Sequence, residues 1–300
     1  MVLLDALSAS PTFFIIAVVV LGLLVGSFLN VVIYRLPVML EREWQQQCAQ
    51  LGNESAAAAP APPRFNLIVP RSTCPKCKAP ISALENIPVI SYLMLRGRCA
   101  RCAAPISPRY PLIEALTGVL SGLVAWKFGY GAAAVPALVL TWFLIALTFI
   151  DVDTQLLPDS MTLPLVWLGV ATSALLPTDY RASLPVSLHD SVIGAMAGYL
   201  SLWGIYHLFK LLTGKEGMGY GDFKLLAAIG AFLGWRMLLP TALCAAAVGA
   251  VVGIVILTLQ RKGRGVPIAF GPFLSAAGWI MMMWGRELLD GYLGLFGLHA

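Results

Sequence analysis

The sequence predicts an all-α integral membrane protein, a polytopic bundle of about eight transmembrane helices that carries one small polar insert. Apolar residues make up 59% of the 300 residues, charged residues make up 12%, and the mean hydropathy is +0.81. A soluble fold of this length has too little interior to bury so many apolar side chains. Lipid must therefore be the solvent for most of the chain.

The first apolar stretch runs without interruption from residue 13 to residue 34. A helix of that length rises about 33 Å, enough to cross a hydrocarbon core of about 30 Å. Residues 1–12 contain no Lys or Arg, whereas a secretory signal begins with positive charge. We therefore interpret residues 1–34 as the first transmembrane helix and not as a signal peptide.

Seven more apolar stretches follow the polar insert, and residues 110–300 are predicted to form the membrane-embedded core. These stretches lie at 111–128, 131–150, 160–177, 189–212, 223–236, 238–259 and 267–285. The stretch 223–236 is short, and the next one follows after almost no loop. This pair is therefore either two spans or one re-entrant element followed by a helix.

The basic residues indicate the orientation. Ten of the twenty Lys and Arg residues lie in the polar segment 35–109, and the eight-span order puts six more on the same side. Only Lys127, Arg181, Arg236 and Arg286 fall on the other side. The positive-inside rule then places the insert in the cytoplasm and both chain ends outside. The net charge of +5 follows from this asymmetry and does not indicate nucleic-acid binding.

The insert has two parts. Its first part, 41–63, is rich in Gln, Ala and Pro without apolar periodicity, which predicts a flexible linker. Its second part, 70–107, contains two CxxC pairs, and a Pro follows each pair three residues later, so the two units look like an internal repeat. The four cysteines of the pairs are Cys74, Cys77, Cys99 and Cys102.

Two CxxC turns supply the four thiolates that one tetrahedral Zn²⁺ needs. Two disulfides or a redox site are the alternatives, but a reducing cytoplasm disfavours the first and one pair suffices for the second. We therefore predict one structural zinc ion per chain, whose binding supplies the folding free energy of an insert too small for its own core. Cys48 and Cys244 are left over, and we expect neither to be a ligand.

Two aspartates lie at the same predicted membrane boundary. Asp151 ends the span 131–150, and Asp222 immediately precedes the stretch 223–236, both on the cytoplasmic side. In a close carboxyl pair that shares one proton, one group can take a proton from water while the other polarises a scissile carbonyl. Gly219 and Gly221 let the backbone turn tightly and let an extended substrate approach. This pattern predicts an aspartic protease.

Other roles are open for these acids. Asp222 could be only an N-cap, as Asp159 or Ser160 could be for the span 160–177. Asp153, two residues from Asp151, ranks second as the partner of Asp222 because it would point elsewhere. A different class of protein, an ion- or proton-coupled transporter or a zinc-responsive membrane scaffold, would use the two acids for transport. Transport carboxylates lie near the bilayer midplane, however, and these lie at one boundary.

Gly219-Tyr220-Gly221-Asp222 matches the Gly-x-Gly-Asp motif of a known family, and the chain resembles the type IV prepilin peptidases, which are intramembrane aspartic proteases. Asp151, with Pro158 seven residues later, resembles the other catalytic aspartate of that family. The resemblance extends to residues 26–37, to the paired CxxC insert and to residues 108–114. It therefore covers nearly the whole chain except the linker and about the last ten residues.

The resemblance implies that Asp151 and Asp222 cut a short basic leader from type IV prepilins and type II secretion pseudopilins. It places the cut at the cytoplasmic face of the bacterial inner membrane, with the precursors and the lipid bilayer as partners and no nucleic acid. It also implies a second activity, methylation of the new amino terminus with S-adenosylmethionine. The residues give no independent sign of that cofactor, because no strand is followed by Gly-x-Gly-x-x-Gly.

Four residues are candidates for the methyltransferase or substrate site: Gly26, Ser27 and Asn30 on the first span and Glu114 on the second. Gly26 and Asn30 stand four residues apart on one helix face, for which helix packing is the favoured role. Glu114 is an acid inside a span, where an acid is costly unless it is paired or wet. It could bind the substrate amine, serve methyl transfer or hydrogen-bond two helices.

Overall fold

The computed structural model describes residues 2–52, 64–177, 184–260 and 269–295. Regular structure in these ranges is helical, with no β-strand, and two isolated β-bridges lie in the insert. The helices are α1 (Val2–Ala9), α2 (Pro11–Gly52), α3 (Ile90–Met94), α4 (Arg109–Phe128), α5 (Ala134–Thr154), α6 (Asp159–Leu175), α7 (Leu188–Thr213), α8 (Tyr220–Leu233), α9 (Leu238–Gln260) and α10 (Gly271–Leu295). The predicted all-α fold class is confirmed.

Five helical segments in the described part of the chain are long and apolar enough to cross a membrane. They are Pro11–Ala49, Arg109–Phe128, Ala134–Thr154, Leu188–Thr213 and Trp235–Val255. The predicted stretches 160–177 and 223–236 are also helical, but α6 has 17 residues and α8 has 14, which is short for a hydrocarbon core of about 30 Å. The chain is therefore a helical membrane protein in which some helices are too short to span lipid by themselves.

α2 differs from the sequence prediction. It continues past residue 34 to Gly52, so residues 41–52, expected to belong to a flexible linker, are helical. This part is rich in Glu and Gln, which favour helix, and Gln45 donates a hydrogen bond to Glu41 one turn away. The side chains of residues 41–49 are exposed, so the helix has no buried face and shows no apolar period. The rest of the predicted linker, 53–63, lies outside the described residues.

The chain divides into two compact units, Thr12–Leu123 on the one hand and Met1–Pro11 with Val124–Ala300 on the other. This division falls within α4, whereas the sequence suggested boundaries after residues 34 and 109. In the first unit α2 and α4 pack closely through small residues, because a Cβ at Gly26 would lie 2.8 Å from the Cα of Glu114.

α8 is the central helix of the second unit. Every residue from Leu225 to Leu233 is buried, because α8 packs against α6, α7 and α10. α7 and α8 approach so closely that a Cβ at Gly194 would overlap the carbonyl oxygen of Gly230, and the reverse is also true. Ser191 on α7 donates a hydrogen bond to the carbonyl of Ala231, at 2.6 Å. The helix that carries Asp222 is therefore held by protein on several sides.

This close approach predicts the effect of adding one methyl group at Gly194. Gly194→Ala should destabilise the protein by about 1–3 kcal/mol, because backbone cannot move aside as a flexible side chain can. Gly204→Ala on the same helix is the matched control, since a Cβ there meets nothing within 4 Å. Thermal unfolding in detergent should give a lower midpoint for Gly194→Ala only. Equal midpoints for the two variants would contradict the packing of α7 on α8.

Candidate active site

Asp151 lies in the last turn of α5 and its residue is only 5% exposed. Its Oδ2 accepts a hydrogen bond from the backbone N–H of Gly271, at 3.0 Å. Gly271 is the first residue of α10, where N–H groups have no partner within their own helix. The N-terminus of α10 therefore orients this carboxyl group and favours negative charge on it.

Asp222 lies in the first turn of α8 and is 7% exposed. The N-cap residue of α8 is Gly219, so Asp222 is not the N-cap. Its carboxyl reaches back to the backbone N–H of Gly219, as an acid at this position of a helix often does. A capping role requires no burial, however, and this acid is buried. The cap contact therefore orients a carboxyl group whose burial has another reason.

The structure brings the two acids together. The carboxyl group of Asp151 lies within electrostatic range of the carboxyl group of Asp222. Leu157 packs against the first turns of both α8 and α10: a Cβ at Gly221 would lie 2.6 Å from the Cβ of Leu157, and a Cβ at Gly271 would lie 3.2 Å from its Cδ1. Two carboxyl groups that repel each other in a water-poor site favour one protonated and one ionised group, which is the arrangement that acid–base hydrolysis of an amide uses.

Two other acids near this site, Asp153 and Asp159, do not belong to the buried pair. Asp153 is exposed, whereas Asp151 is buried, which agrees with the ranking of Asp151 first. The expectation that Asp159 or Ser160 caps α6 is wrong, because Pro158 takes the N-cap position with an extended backbone. Asp159 instead forms a salt bridge with Lys224 and so joins the start of α6 to α8.

The turn that leads to Asp222 is attached to α7 by side chains that the sequence analysis did not identify. Lys210 forms a 2.8 Å salt bridge with Glu216, and the hydrogen bond from Lys210 lowers the pKa of the Glu216 carboxyl. Tyr206 is buried, and its ring centroid lies 5.3 Å from that of Tyr220 and 5.7 Å from that of Phe223. These contacts hold the turn before Asp222 against α7 at both of its ends, Glu216 and Tyr220.

Gly271 and Leu157 were also missed. Gly271 contributes only its backbone N–H and the absence of a side chain, so no functional group in the sequence marks it. The available signal was Gly271-Pro272 at the start of the last apolar stretch, since Pro favours the first turn of a helix. That signal locates the start of a helix but not its proximity to Asp151.

The four cysteines of the insert form one cluster, with sulfur atoms all within 4.8 Å of one another. The sulfurs of Cys74 and Cys102 are 3.8 Å apart, and a tetrahedral ion with metal–sulfur bonds of about 2.3 Å separates its sulfurs by about the same distance. A disulfide needs about 2.05 Å, and all cysteines that the structure describes are free. The cluster therefore fits a metal ion.

The two CxxC turns share one backbone conformation, which supports their interpretation as a repeat. In each, the residue four positions after the first cysteine donates its N–H to that cysteine's carbonyl at 2.9 Å. That residue also has a positive φ in both turns, 58° at Lys78 and 54° at Ala103. Backbone N–H groups of Cys77 and Lys76 lower the pKa of the Cys74 thiol to about 6, which favours the thiolate that a metal binds.

The four candidates for the methyltransferase or substrate site meet between α2 and α4. Glu114 Oε2 accepts a hydrogen bond from the backbone N–H of Val89, at 2.8 Å, and its carboxyl lies within hydrogen-bonding reach of the Ser27 side chain. Asn30 donates to a backbone carbonyl in the first turn of α4, at 3.1 Å. Gly26 packs against α4, Asn30 hydrogen-bonds to α4, and Glu114 is a half-buried acid with partners.

Comparison with known proteins gives matches over most of the chain. Residues 20–128 match the bacterial peptidase A24 N-terminal domain, and residues 138–254 match the type IV leader peptidase family. A protein of Stutzerimonas stutzeri named prepilin leader peptidase/N-methyltransferase is 52% identical, with 96% of this chain and 97% of the relative covered. Proteins of the same name from Aeromonas hydrophila (52% identical, 98% and 99% covered) and Pseudomonas aeruginosa (48% identical, 99% of each covered) are similar. No solved structure gave a significant match.

Proposed function

Because the chain belongs to the type IV leader peptidase family, we propose that it removes the short basic leader from type IV prepilins and type II secretion pseudopilins and methylates the new amino terminus. The observation that supports this function best is the buried pair Asp151 and Asp222, held by the N-termini of α10 and α8. Family membership removes the transporter and scaffold alternatives.

The chemistry follows from one proton shared between the two carboxyl groups. The ionised carboxyl takes a proton from a water molecule, which attacks the scissile carbonyl, while the protonated carboxyl donates a hydrogen bond to the carbonyl oxygen. Collapse of the tetrahedral intermediate transfers a proton to the leaving amine. Gly271 keeps Asp151 Oδ2 in place, and Gly219, whose Cβ position meets only Asp222 Oδ2 at 3.8 Å, leaves room for the extended precursor. Gly221 instead makes room for Leu157, because a Cβ there would lie 2.6 Å from the Cβ of Leu157.

The orientation belongs to the same proposal. The excess of Lys and Arg in residues 35–109 supports a cytoplasmic insert, and with it a position of both aspartates at the cytoplasmic face of the bacterial inner membrane. We assign α2 and α4–α10 as eight spans, of which α8 is buried among other helices and α6 buries one face against α8. Residues 110–300 form the peptidase core, and residues 70–107 form the zinc module.

Zn²⁺ is the metal that suits four thiolates in two CxxC turns. With Cys74, Cys77, Cys99 and Cys102 as ligands, no coordination position is open for water or substrate, so the ion stabilises the insert and takes no part in cleavage.

Methylation requires a donor, and we propose S-adenosylmethionine, which supplies an electrophilic methyl group. The cluster of Gly26, Ser27, Asn30 and Glu114 offers a carboxylate, a hydroxyl and an amide side by side. A carboxylate attracts an ammonium or a sulfonium cation. Glu114 is therefore the group in this cluster that would bind the substrate amine or the donor.

Mass spectrometry of a precursor incubated with the purified protein in lipid vesicles tests both activities. We expect loss of the basic leader, and we expect the mass of one methyl group to be added only when S-adenosylmethionine is present. A precursor that stays uncut would contradict the peptidase proposal. A mature product that never gains the methyl group would contradict the second activity alone.

Gly271→Ala should impair cleavage, because the new Cβ would lie 2.5 Å from Asp151 Oδ2 and must displace that carboxyl group. A misplacement of about 1 Å can cost on the order of 100-fold in rate, so we expect a loss of about tenfold to 100-fold in kcat/KM. Gly291→Ala on the same helix is the control, since nothing lies within 4 Å of its Cβ position. Unchanged kcat/KM in Gly271→Ala would show that this contact does not position Asp151.

A further inference from the structure

The zinc-module half of the insert, residues 70–107, exposes a group of large apolar side chains. We call this group the 84–94 patch, and its members are Leu84 (77% exposed), Ile87 (38%), Ile90 (54%), Leu93 (67%) and Met94 (78%). Five exposed large apolar side chains within eleven residues of chain favour an interaction site for protein or membrane. The patch needs an apolar partner that is not within its own module.

A hydrogen bond fixes the depth of the patch relative to α4. Val89, in the middle of the patch, donates its backbone N–H to Glu114, at 2.8 Å. Glu114 lies five residues inside α4, which begins at Arg109, so it is about 7.5 Å along the helix axis from the start. The backbone of the patch thus lies beside a residue that is already within the apolar span.

The other end of the module is fixed to α2. Arg35, which follows the first apolar stretch and is only 8% exposed, donates hydrogen bonds to the carbonyls of Asn66, at 2.9 Å, and Pro70, at 2.6 Å. The module is therefore held at the membrane boundary by both of the helices that it connects.

The module is strongly basic, which suits a membrane surface that contains anionic lipids. Residues 64–109 contain eight Lys and Arg residues and a single acid, Glu85. Arg96, Arg98 and Arg101 follow the patch directly and are exposed. Basic residues beside an apolar surface bind anionic lipid headgroups, whereas the basic leader of a precursor would be repelled.

We propose that the 84–94 patch inserts into the headgroup region of an anionic bilayer. Leu84, Leu93 and Met94 contact the acyl chains, and the arginines that follow pair with lipid phosphates. The module is thus an interfacial anchor and not a freely solvated domain. This inference rests on the membrane location of the chain and not on its peptidase chemistry.

Photocrosslinking of the full-length, metal-loaded protein tests this contact. p-Benzoylphenylalanine replaces Met94 or Leu84, and in the control it replaces Lys76, an exposed polar position in the same module. The protein is reconstituted in vesicles of phosphatidylglycerol and phosphatidylethanolamine and irradiated. We expect lipid adducts at positions 94 and 84 at a yield about tenfold above position 76, because only apolar side chains enter the acyl boundary. Adducts with a precursor or a second protein chain instead, or equal yields at the three positions, would overturn the inference.

A second comparison tests the charge. Replacing phosphatidylglycerol by phosphatidylcholine should lower the lipid adduct at position 94 several-fold, because the attraction to basic side chains is about 1 kcal/mol per residue near an anionic surface. The double substitution Leu93→Glu and Met94→Glu should lower the adduct at position 84, with metal content unchanged as the check on folding. If neither the change of lipid nor the double substitution lowered the adduct yield, the contact with anionic lipid would be refuted. Precursor cleavage measured in the same vesicles reports separately on the proposed function.

Discussion

Asp222→Asn is expected to reduce precursor cleavage by about three orders of magnitude or more, and Asp151→Asn should do the same. A positioned acid or base contributes about 10²–10⁴ in rate, and each substitution leaves a single carboxyl group, which cannot act as acid and base together. Asn is nearly isosteric with Asp, and in Asp151→Asn the amide oxygen could still accept the hydrogen bond from Gly271. The loss should therefore appear in kcat while the protein remains folded.

Asp153→Asn is the matched control, because Asp153 lies two residues from Asp151 on the same helix but is exposed. It should cleave at nearly the normal rate. A substrate that has already lost its leader separates the two activities, since methylation of that substrate should persist in Asp222→Asn. Cleavage that survives in either Asp151→Asn or Asp222→Asn would remove that residue from the catalytic pair.

The helices could be located from the sequence because the lipid environment imposes a simple requirement on their length and polarity. The least certain was α8, which is too short to span lipid by itself. The structure explains the apolar sequence of α8 differently, since Leu225 to Leu233 are buried against neighbouring helices. Being apolar on all faces is typical both of a membrane span and of a buried core helix, and composition alone does not separate the two.

The wrong prediction for residues 41–52 has a related cause. Apolar periodicity indicates a helix that buries one face, and residues 41–49 of α2 bury none. Helix propensity in Glu41 to Gln47 was the usable signal, and it is weak because each residue contributes only tenths of a kcal/mol.

The candidate catalytic pair could be predicted because carboxyl groups are rare in this chain and both fall at one predicted membrane boundary. Their supporting contacts could not be predicted in the same way. Gly271 is 120 residues from Asp151 in the sequence and acts through its backbone N–H. Tyr206 resembles any aromatic residue of a span until its contact with Tyr220 is seen. Such roles depend on tertiary packing, which a single sequence does not encode in any local pattern.

The cysteine cluster gives the second large expected effect. Replacing any one of Cys74, Cys77, Cys99 or Cys102 by Ser should lower the bound zinc from about one ion per chain to near zero, because three thiolates do not complete the tetrahedral shell. Elemental analysis of the purified protein measures this directly. Since metal binding supplies the folding free energy of such a module, limited proteolysis should then cut within residues 70–107.

Cys48→Ser and Cys244→Ser are the controls, since neither belongs to the cluster, and both should keep the zinc and the protease resistance. Zinc that survives in a cluster variant would show that the metal is bound elsewhere. A variant without zinc that keeps an intact module would show that hydrogen bonds and the contacts of Arg35 and Glu114 suffice to hold the fold. We expect instead that the module unfolds when the zinc is lost. Residues 70–107 bury only Cys74, Pro88 and Ala104, and with so small a core the metal is the principal source of stability.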